Sequence, residues 1–276
     1  MPSTPVAVVT GANKGIGFAI VRALCKQFPG HVYLTAREPG RGQEAVAKLQ
    51  QEGLQAFFHQ LDIDDLQSIR ALRDFLKEKY GGLNVLVNNA GIAFKGGKGP
   101  VWGSPVCCQA LWRGLWVHPT PVCPQLAGQA SCRVVNVSSM VSSSALGGCS
   151  QPLQQKFRSD TITEEELVQL MNKFVEDTKK GVHDKEGWPN TAYGVSKIGV
   201  TVLSRIQARM LNEERKGDHI LLNACCPGWV RTDMAGPRAT KSPDEGAETP
   251  VYLALLPSDA DAPHGQFVSD KTVRPW

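Results

Sequence analysis

The chain has 276 residues, of which 42% are hydrophobic and 20% are charged, as is usual for a globular protein. Its formal net charge is +4 without a long lysine or arginine run, which argues against nucleic acid as a partner. No apolar stretch approaches the roughly 18 residues that span a bilayer, and the first residues do not resemble a signal peptide. We therefore expect a cytoplasmic protein without a membrane partner, whose eight cysteines are reduced thiols.

Short apolar runs alternate with stretches of helical periodicity in the first 91 residues. The predicted strands are 5–10, 31–37, 56–63 and 83–91, and the predicted helices are 17–28, 43–52 and 64–80. Alternation at this spacing indicates βαβ units, which form a parallel sheet covered by helices on both faces.

The second half of the chain continues the alternation. Its predicted strands are 133–139 and 219–228, and its predicted helices are 163–181, 193–210 and 242–257. Two of these helices begin with capping signals, Thr163 with Glu166 and Ser242 with Glu245. Because no repeat or linker interrupts the pattern, we predict one domain over residues 1–276, an α/β fold with a doubly wound parallel sheet of the Rossmann type.

A glycine-rich turn, TGANKGIG, lies between the first predicted strand and the first predicted helix, at residues 10–17. Gly11, Gly15 and Gly17 would let a pyrophosphate approach backbone N–H groups at the helix N-terminus. Glycines alone also occur in ordinary turns, but this placement between a strand and a helix indicates a dinucleotide site.

The end of the second predicted strand bears on which dinucleotide binds. An NAD site carries an acidic residue there, which accepts a hydrogen bond from the ribose 2′-hydroxyl. Here the strand ends at Arg37, and Lys14 lies in the glycine-rich turn. Two cations without an acid favour a 2′-phosphate and therefore NADP(H), although Arg37 could also be an ordinary surface side chain.

Tyr193 and Lys197 are four residues apart in a predicted helix and share one of its faces. A free tyrosine has a pKa of about 10, and a nearby cation favours its phenolate form. The phenol could then give a proton to a carbonyl oxygen while a hydride reaches the carbonyl carbon. Ser139, at the end of a predicted strand, could hold the same oxygen by a hydrogen bond.

Five motifs together resemble the short-chain dehydrogenases/reductases: TGANKGIG, NNAG (88–91), NVSS (136–139), YGVSK (193–197) and PGWVRTDM (227–234). The resemblance is closer still to the cytosolic NADPH-dependent carbonyl reductases of that family. It implies reduction of quinones, ketones and aldehydes to hydroquinones or alcohols, with NADPH as the cofactor.

The resemblance also implies roles for individual residues. The catalytic residues would be Ser139, Tyr193 and Lys197. The cofactor would be held by Gly11, Asn13, Lys14, Gly15, Ile16, Gly17, Arg37, Asp62, Ile63, Asn89, Ala90, Gly91, Tyr193, Lys197, Val230 and Thr232. The substrate would meet Cys226, Trp229 and Met234 beside Ser139 and Tyr193, with Phe94 and Lys95 near a glutathione-type group. No metal is implied, and Trp229 and Met234 could instead serve packing alone.

Residues 140–192 separate Ser139 from Tyr193. This stretch is longer than the corresponding stretch in most members of the family. This insertion, which contains the capped helix 163–181, is shared with the carbonyl reductases. In the wider family the corresponding helix face builds dimers. By resemblance, an insertion that covers this face predicts a monomer.

Residues 96–132 depart from the family pattern. They contain no Asp or Glu, but they hold four of the eight cysteines, three of the six tryptophans and five prolines. The family has a helix here with an asparagine that takes part in proton relay, whereas no asparagine occurs from Ala90 to Val135. Several prolines would also interrupt a helix.

Three interpretations of residues 96–132 remain open. A metal site would use irregularly spaced ligands, namely Cys107, Cys108, His118, Cys123 and Cys132. A tryptophan-rich lid or partner surface is the second interpretation. We favour the third, a segment foreign to the fold, because its composition is typical of GC-rich coding sequence read in the wrong frame or of a mispredicted exon. The functional alternative is then a nucleotide-binding protein without useful turnover.

Overall fold

The computed structural model describes residues 4–91 and 131–276 of the chain. The strands in these residues are β1 (Val6–Val9), β2 (His31–Ala36), β3 (Phe57–Gln60), β4 (Val85–Asn88), β5 (Cys132–Val137), β6 (Ile220–Cys226), β7 (Phe267–Ser269) and β8 (Thr272–Arg274). The helices are α1 (Gly15–Gln27), α2 (Pro39–Gln51), α3 (Leu66–Tyr80), α4 (Val141–Gly147), α5 (Gln151–Arg158), α6 (Glu164–Lys179), α7 (Ala192–Glu214) and α8 (Pro243–Ala254).

The strands form one sheet in the order β3-β2-β1-β4-β5-β6-β7-β8. Neighbouring strands from β3 to β7 are parallel, which confirms the predicted Rossmann-type α/β fold. The chain moves outward from β1 to β3 and then returns to the other side of β1 as β4. A ligand site is expected outside the carboxyl ends of β1 and β4, where the strand order reverses.

The parallel sheet has one antiparallel edge. β8 pairs antiparallel with β7 through Val268 and Val273, in a hairpin that turns at Asp270 and Lys271. Both turn residues have positive φ angles, as a tight hairpin turn requires. Strands of three residues are too short for a period-two pattern to reveal.

Most predicted helices are confirmed, with shifted ends. α2 begins at Pro39 instead of residue 43, because proline suits the first turn of a helix and the two following glycines do not prevent one. α1 begins at Gly15 rather than Gly17, and α7 runs to Glu214 rather than Met210. Both predicted capping boxes form, at Thr163 on α6 and at Ser242 on α8.

The insertion, residues 140–192, contains three helices, α4 to α6, of which only α6 was predicted. Their apolar side chains pack against α7 in what we call the insertion core, whose largest members are Leu146, Phe157, Leu167, Phe174, Trp188 and Ile198. Trp188 is 1% exposed, and its indole N–H donates to Asp177 Oδ2 at 2.9 Å. Lys173 Nζ lies 2.9 Å from the same oxygen.

Asp177 is expected to make the stability of the insertion depend on pH. Its burial opposes ionisation, but hydrogen bonds from Lys173 and Trp188 outweigh that effect and hold the carboxyl pKa below its usual range. A depressed native pKa stabilises the fold above the unfolded-state pKa of about 3.9, and this contribution disappears as the pH falls through the native value. We expect Asp177→Asn to lower the free energy of unfolding by about 1 kcal/mol at neutral pH.

Urea titrations of Asp177→Asn and the unsubstituted protein at neutral pH and near pH 3 would check this expectation. The difference in the free energy of unfolding between the two proteins should be smaller at the lower pH. Asp184→Asn, in the same insertion, serves as the control. A difference that stays constant or grows toward acid pH would contradict the assignment.

Part of the unusual segment lies outside the described residues, as do Phe94, Lys95, Cys107, Cys108, His118 and Cys123. Its last residue, Cys132, is buried as the first residue of β5 and pairs with Ile220, so it is part of the sheet. Among residues 4–91 and 131–276, no cluster of three or more His, Cys, Asp or Glu side chains is arranged to hold a metal. Within the same ranges, no helix has the length and apolar character needed to cross a membrane.

Candidate active site

A cavity of about 630 Å³ opens at the carboxyl ends of β1 and β4. Its walls come from the glycine-rich loop, the loops after β2, β3, β4 and β6, and the start of α7. The predicted site residues on its walls are Gly11, Asn13, Lys14, Gly15, Ile16, Gly17, Arg37, Asp62, Ile63, Asn89, Ala90, Gly91, Tyr193, Lys197, Thr232 and Met234. Most of the predicted site residues therefore line one continuous cavity.

The glycine-rich loop needs glycine for two reasons. Gly11 and Gly15 both have φ +60°, a conformation that other residues rarely adopt. Gly17 has an ordinary φ, but a Cβ there would lie 2.5 Å from Asn89 Nδ2 and 2.7 Å from Gly11 O. The loop after β4 therefore packs directly against the glycine-rich loop.

Asn89 and Thr10 fix these two loops relative to each other. The Asn89 side-chain amide donates to Thr10 O at 3.0 Å and to Gly11 O at 3.1 Å. Thr10 Oγ1 accepts from the backbone N–H groups of Asn89 and Ala90, both at 3.0 Å. The loop after β4 thus holds the glycine-rich loop in shape through four hydrogen bonds.

We expect Gly17→Ala to weaken dinucleotide binding at least about tenfold, since the new methyl group must displace Asn89 or the loop backbone. Gly40→Ala is the matched control, because a Cβ at Gly40 meets nothing within 4 Å. Equilibrium titration with NADPH, followed by fluorescence, would measure both variants. Equal affinity in the two would show that the loop tolerates this displacement.

Positive charge gathers where the glycine-rich loop meets α2. Lys14, Arg37 and Arg41 line the cavity, and Arg41 and Lys14 also line an adjoining hollow with Lys48. Lys14 Nζ lies 2.5 Å from Asp233 Oδ2, a pair that joins the glycine-rich loop to the loop after β6. Both side chains are mostly exposed.

The loop after β3 forms the wall of the cavity that includes Asp62 and Ile63. The Asp62 backbone N–H donates to Ser68 Oγ at 2.9 Å, and Asp62 Oδ1 accepts from the Asp64 backbone N–H at 3.0 Å. These bonds hold the first turn of α3 against the loop. The loop after β3 and the first turn of α3 therefore form one hydrogen-bonded part of the cavity wall.

Tyr193 and Lys197 lie in the first turns of α7, which begins with Thr191 accepting from the Gly194 backbone N–H. Lys197 Nζ donates to Val137 O at 2.8 Å and lies 5.8 Å from the centroid of the Tyr193 ring. Lys197 is 7% exposed, whereas Tyr193 is half-buried at the cavity wall. The buried Lys197 ammonium group therefore lies close to the Tyr193 ring, and both residues line the cavity.

Ser139 follows β5 at the turn into α4. Its hydroxyl oxygen accepts from the Val141 backbone N–H at 3.2 Å. A serine hydroxyl has a single proton, and this bond does not use it, so the proton can be donated to another oxygen. Ser138 and Val137, immediately before it, line the cavity, which places the turn beside the cavity.

Besides Ser139, three predicted residues within the described ranges are not among those that line the cavity, namely Cys226, Trp229 and Val230. Cys226 is buried, and its Sγ accepts from the backbone N–H groups of Met140 and Gly228 at 3.2 and 3.3 Å. Val230 is 2% exposed and lies against Gly246, so its side chain packs within the protein. Trp229 is 54% exposed, and Met234 is 40% exposed at the cavity.

Sequence reasoning missed several residues of the cavity wall. These are Ala36, Glu38, Arg41, Leu61, Asp64, Val137, Ser138, Pro227, Arg231, Asp233 and Pro243. Arg41 is the most informative of them, because it adds a third cation to Lys14 and Arg37. Arg41 lies in the first turn of α2, which closely follows β2. The sequence would have indicated this position if the helix had been predicted to begin at Pro39.

The family model for short chain dehydrogenases matches residues 5–151. The chain belongs to the short-chain dehydrogenase family. Two curated relatives are named carbonyl reductase (NADPH) 1. That of Mus musculus is 69% identical over 278 residues, with 99% of each chain covered, and that of Homo sapiens is 69% identical over 273 residues, with 98% of each covered.

A solved structure supports the same fold. Salutaridine reductase from Papaver somniferum matches with a TM-score of 0.84 at 30% identity, over 96% of this chain and 99% of that one. This short-chain dehydrogenase therefore shares both its fold and its length with a known reductase.

Proposed function

We propose that this short-chain dehydrogenase reduces carbonyl compounds with NADPH. The observation that carries the proposal is that Tyr193 and Lys197 line the same cavity, with Lys197 Nζ 5.8 Å from the centroid of the Tyr193 ring. The curated relatives with 69% identity, named as NADPH carbonyl reductases, support the same reaction. The substrates are small quinones, ketones and aldehydes, and the products are hydroquinones or alcohols.

The described residues fit an NADP(H) cofactor. Gly11 and Gly15, both at φ +60°, give the loop the turn that a pyrophosphate can approach, and the three cations near α2 suit a 2′-phosphate. Asp62 and Ile63 would contact the adenine, Asn89, Ala90 and Gly91 the ribose, and Thr232 the nicotinamide end. When bound, NADPH supplies the hydride.

The chain's own residues supply the proton and orient the carbonyl group. Tyr193 donates its phenolic proton to the carbonyl oxygen as negative charge develops there. Lys197 favours the resulting phenolate, because a cation stabilises the charged form of a neighbouring acid. Ser139 donates its hydroxyl proton as a hydrogen bond to the same oxygen and so fixes the carbonyl in place.

Arg37→Ala is expected to raise the KM for NADPH roughly 10- to 100-fold, because a hydrogen bond to a charged group contributes about 1.5–3 kcal/mol. The KM for NADH, which lacks the 2′-phosphate, should change little. Steady-state kinetics with each cofactor would measure the effect, with Arg274→Ala on the exposed strand β8 as the control. A parallel rise for both cofactors would instead indicate damage to the fold.

The alternative of a nucleotide-binding protein without turnover has no support in the described residues. Tyr193 and Lys197 line the cavity, and Ser139 directly follows Ser138, which also lines it. The unusual composition of residues 96–132 remains a feature of the sequence. We propose that it reflects a shifted reading frame, which reading the coding DNA of this segment in its other two frames would test.

A monomer in the cytoplasm remains our proposal for the state of the protein. Its support is the insertion core, which buries one side of α7 under α4, α5 and α6. Sedimentation velocity should show a single species near the 29.9 kDa mass of the chain. A tight tetramer would overturn the proposal. Binding of glutathione conjugates near Phe94 and Lys95 is proposed from the family resemblance alone.

The function is tested by following NADPH oxidation with menadione as a quinone substrate. Folded protein should consume NADPH only when the quinone is present, and the organic product should be the hydroquinone. NADPH binding without oxidation, in protein shown to be folded by circular dichroism, would support the non-catalytic alternative.

A further inference from the structure

The turn that carries Ser139 is held by hydrogen bonds from buried groups. The Ser142 backbone N–H and hydroxyl both donate to Ser139 O, at 3.0 and 2.7 Å. The Met140 backbone N–H donates to Cys226 Sγ at 3.2 Å. Ser142 is fully buried. The direction in which the Ser142 hydroxyl donates its proton therefore helps to fix the backbone of the turn that carries Ser139.

Trp276, which follows β8, reaches this turn from the other end of the chain. Its indole Nε1–H donates to Ser142 Oγ at 2.7 Å. The ring packs against the insertion core and against a second cluster formed by Ala224, Cys226 and Phe267. Trp276 is thus packed between the insertion and strands β6 and β7, the two parts of the fold that hold the Ser139 turn.

An indole N–H can only donate a hydrogen bond, and a serine hydroxyl has one proton. Because the Trp276 indole N–H donates to Ser142 Oγ, the hydroxyl proton of Ser142 points away from the indole. It is donated to Ser139 O instead. Thr201 Oγ1 also donates to Ser142 Oγ, but at 3.5 Å, so without the indole the Ser142 hydroxyl would lose its nearer donor. Because hydrogen bonds in a chain strengthen one another, the bond from the Ser142 hydroxyl to Ser139 O would become weaker.

We propose that Trp276 is a positioning residue for carbonyl reduction, acting through Ser142 on the turn that carries Ser139. The proposal rests on the proposed function, in which Ser139 donates to the substrate oxygen. Trp276 does not itself touch the cavity. Its effect should appear in the chemical step and in substrate orientation, and not in dinucleotide binding, since the glycine-rich loop lies elsewhere in the site.

Trp276→Phe keeps most of the ring packing and removes the N–H donor. We expect it to lower kcat with menadione roughly five- to tenfold, the effect of one lost hydrogen bond. The dissociation constant for NADPH should not change. Ser142→Ala removes the same connection from its other end and should have a similar effect, while Val273→Thr on exposed β8 should leave kcat unchanged.

The double variant distinguishes positioning from general loosening of the fold. If Trp276 acts through Ser142, Trp276→Phe combined with Ser142→Ala should lower kcat no further than the stronger single variant. Multiplied effects, or an unchanged kcat in Trp276→Phe, would overturn the proposal. If Trp276→Phe does not fold, an unchanged kcat in Ser142→Ala overturns it equally well.

Ser139→Ala separates this inference from the proposed function. Full activity in Ser139→Ala would remove the role that the proposed function gives to Ser139. A large loss in Ser139→Ala together with full activity in Trp276→Phe would leave the proposed function standing and reject the role of Trp276 alone.

Discussion

Replacement of Tyr193 with phenylalanine is expected to lower kcat for quinone reduction by about 10²- to 10⁴-fold, the usual contribution of a positioned proton donor. The phenyl ring keeps the packing at the start of α7 but has no proton to give. The KM for NADPH should change little, because the glycine-rich loop and the cations near α2 are untouched. Stopped-flow measurement of NADPH oxidation under single-turnover conditions would isolate the chemical step.

Tyr252→Phe is the matched control for this variant. Tyr252 lies on α8 and is 38% exposed, away from the cavity wall. Its loss of a hydroxyl should leave kcat unchanged. If Tyr193→Phe also retained full activity in folded protein, the proton would come from another group, and the assignment of carbonyl reduction to this site would fail.

Trp188→Ala is expected to lower the free energy of unfolding by about 3–5 kcal/mol, the range for removing a large buried aromatic side chain. Trp188 packs against Phe157 and Phe174, with ring centroids 6.1 and 5.2 Å away, and donates to buried Asp177. Removal leaves both a cavity and a carboxylate without one of its donors. Urea denaturation followed by circular dichroism would measure the loss.

Two further tryptophan variants control for this result. Trp188→Phe keeps a ring but loses the N–H, so its loss of stability should be smaller. Trp229→Ala removes a side chain that is 54% exposed and should barely change the urea midpoint. Equal losses in Trp188→Ala and Trp229→Ala would show that burial in the insertion core contributes little.

The sequence was most informative where local chemistry is specific. The strand–turn–helix placement of Gly11, Gly15 and Gly17 predicted the loop at which the cavity is found. The i, i+4 spacing of Tyr193 and Lys197 predicted one helix face, and both residues line that cavity. In each case the pattern depends on neighbouring residues along the chain, so one segment is enough to predict it.

Features that depend on distant parts of the chain could not be predicted. α4 and α5 are short helices whose apolar side chains become part of a core only beside α7. Arg41 and Lys14 line the same hollow because α2 packs near the glycine-rich loop. The bond from Trp276 to Ser142 joins residues 134 positions apart. None of these leaves a periodic or spaced pattern in the sequence.

The ion pair between Lys14 and Asp233 should reduce the salt dependence of dinucleotide binding. A phosphate that reaches Lys14 replaces the Asp233 carboxylate as the partner of that ammonium group. Dissolved salt weakens both the ion pair of Lys14 with Asp233, which is lost, and the interaction of Lys14 with the phosphate, which is gained, because both are exposed. Cofactor affinity should therefore fall less steeply with ionic strength than the number of lysine and arginine contacts alone implies.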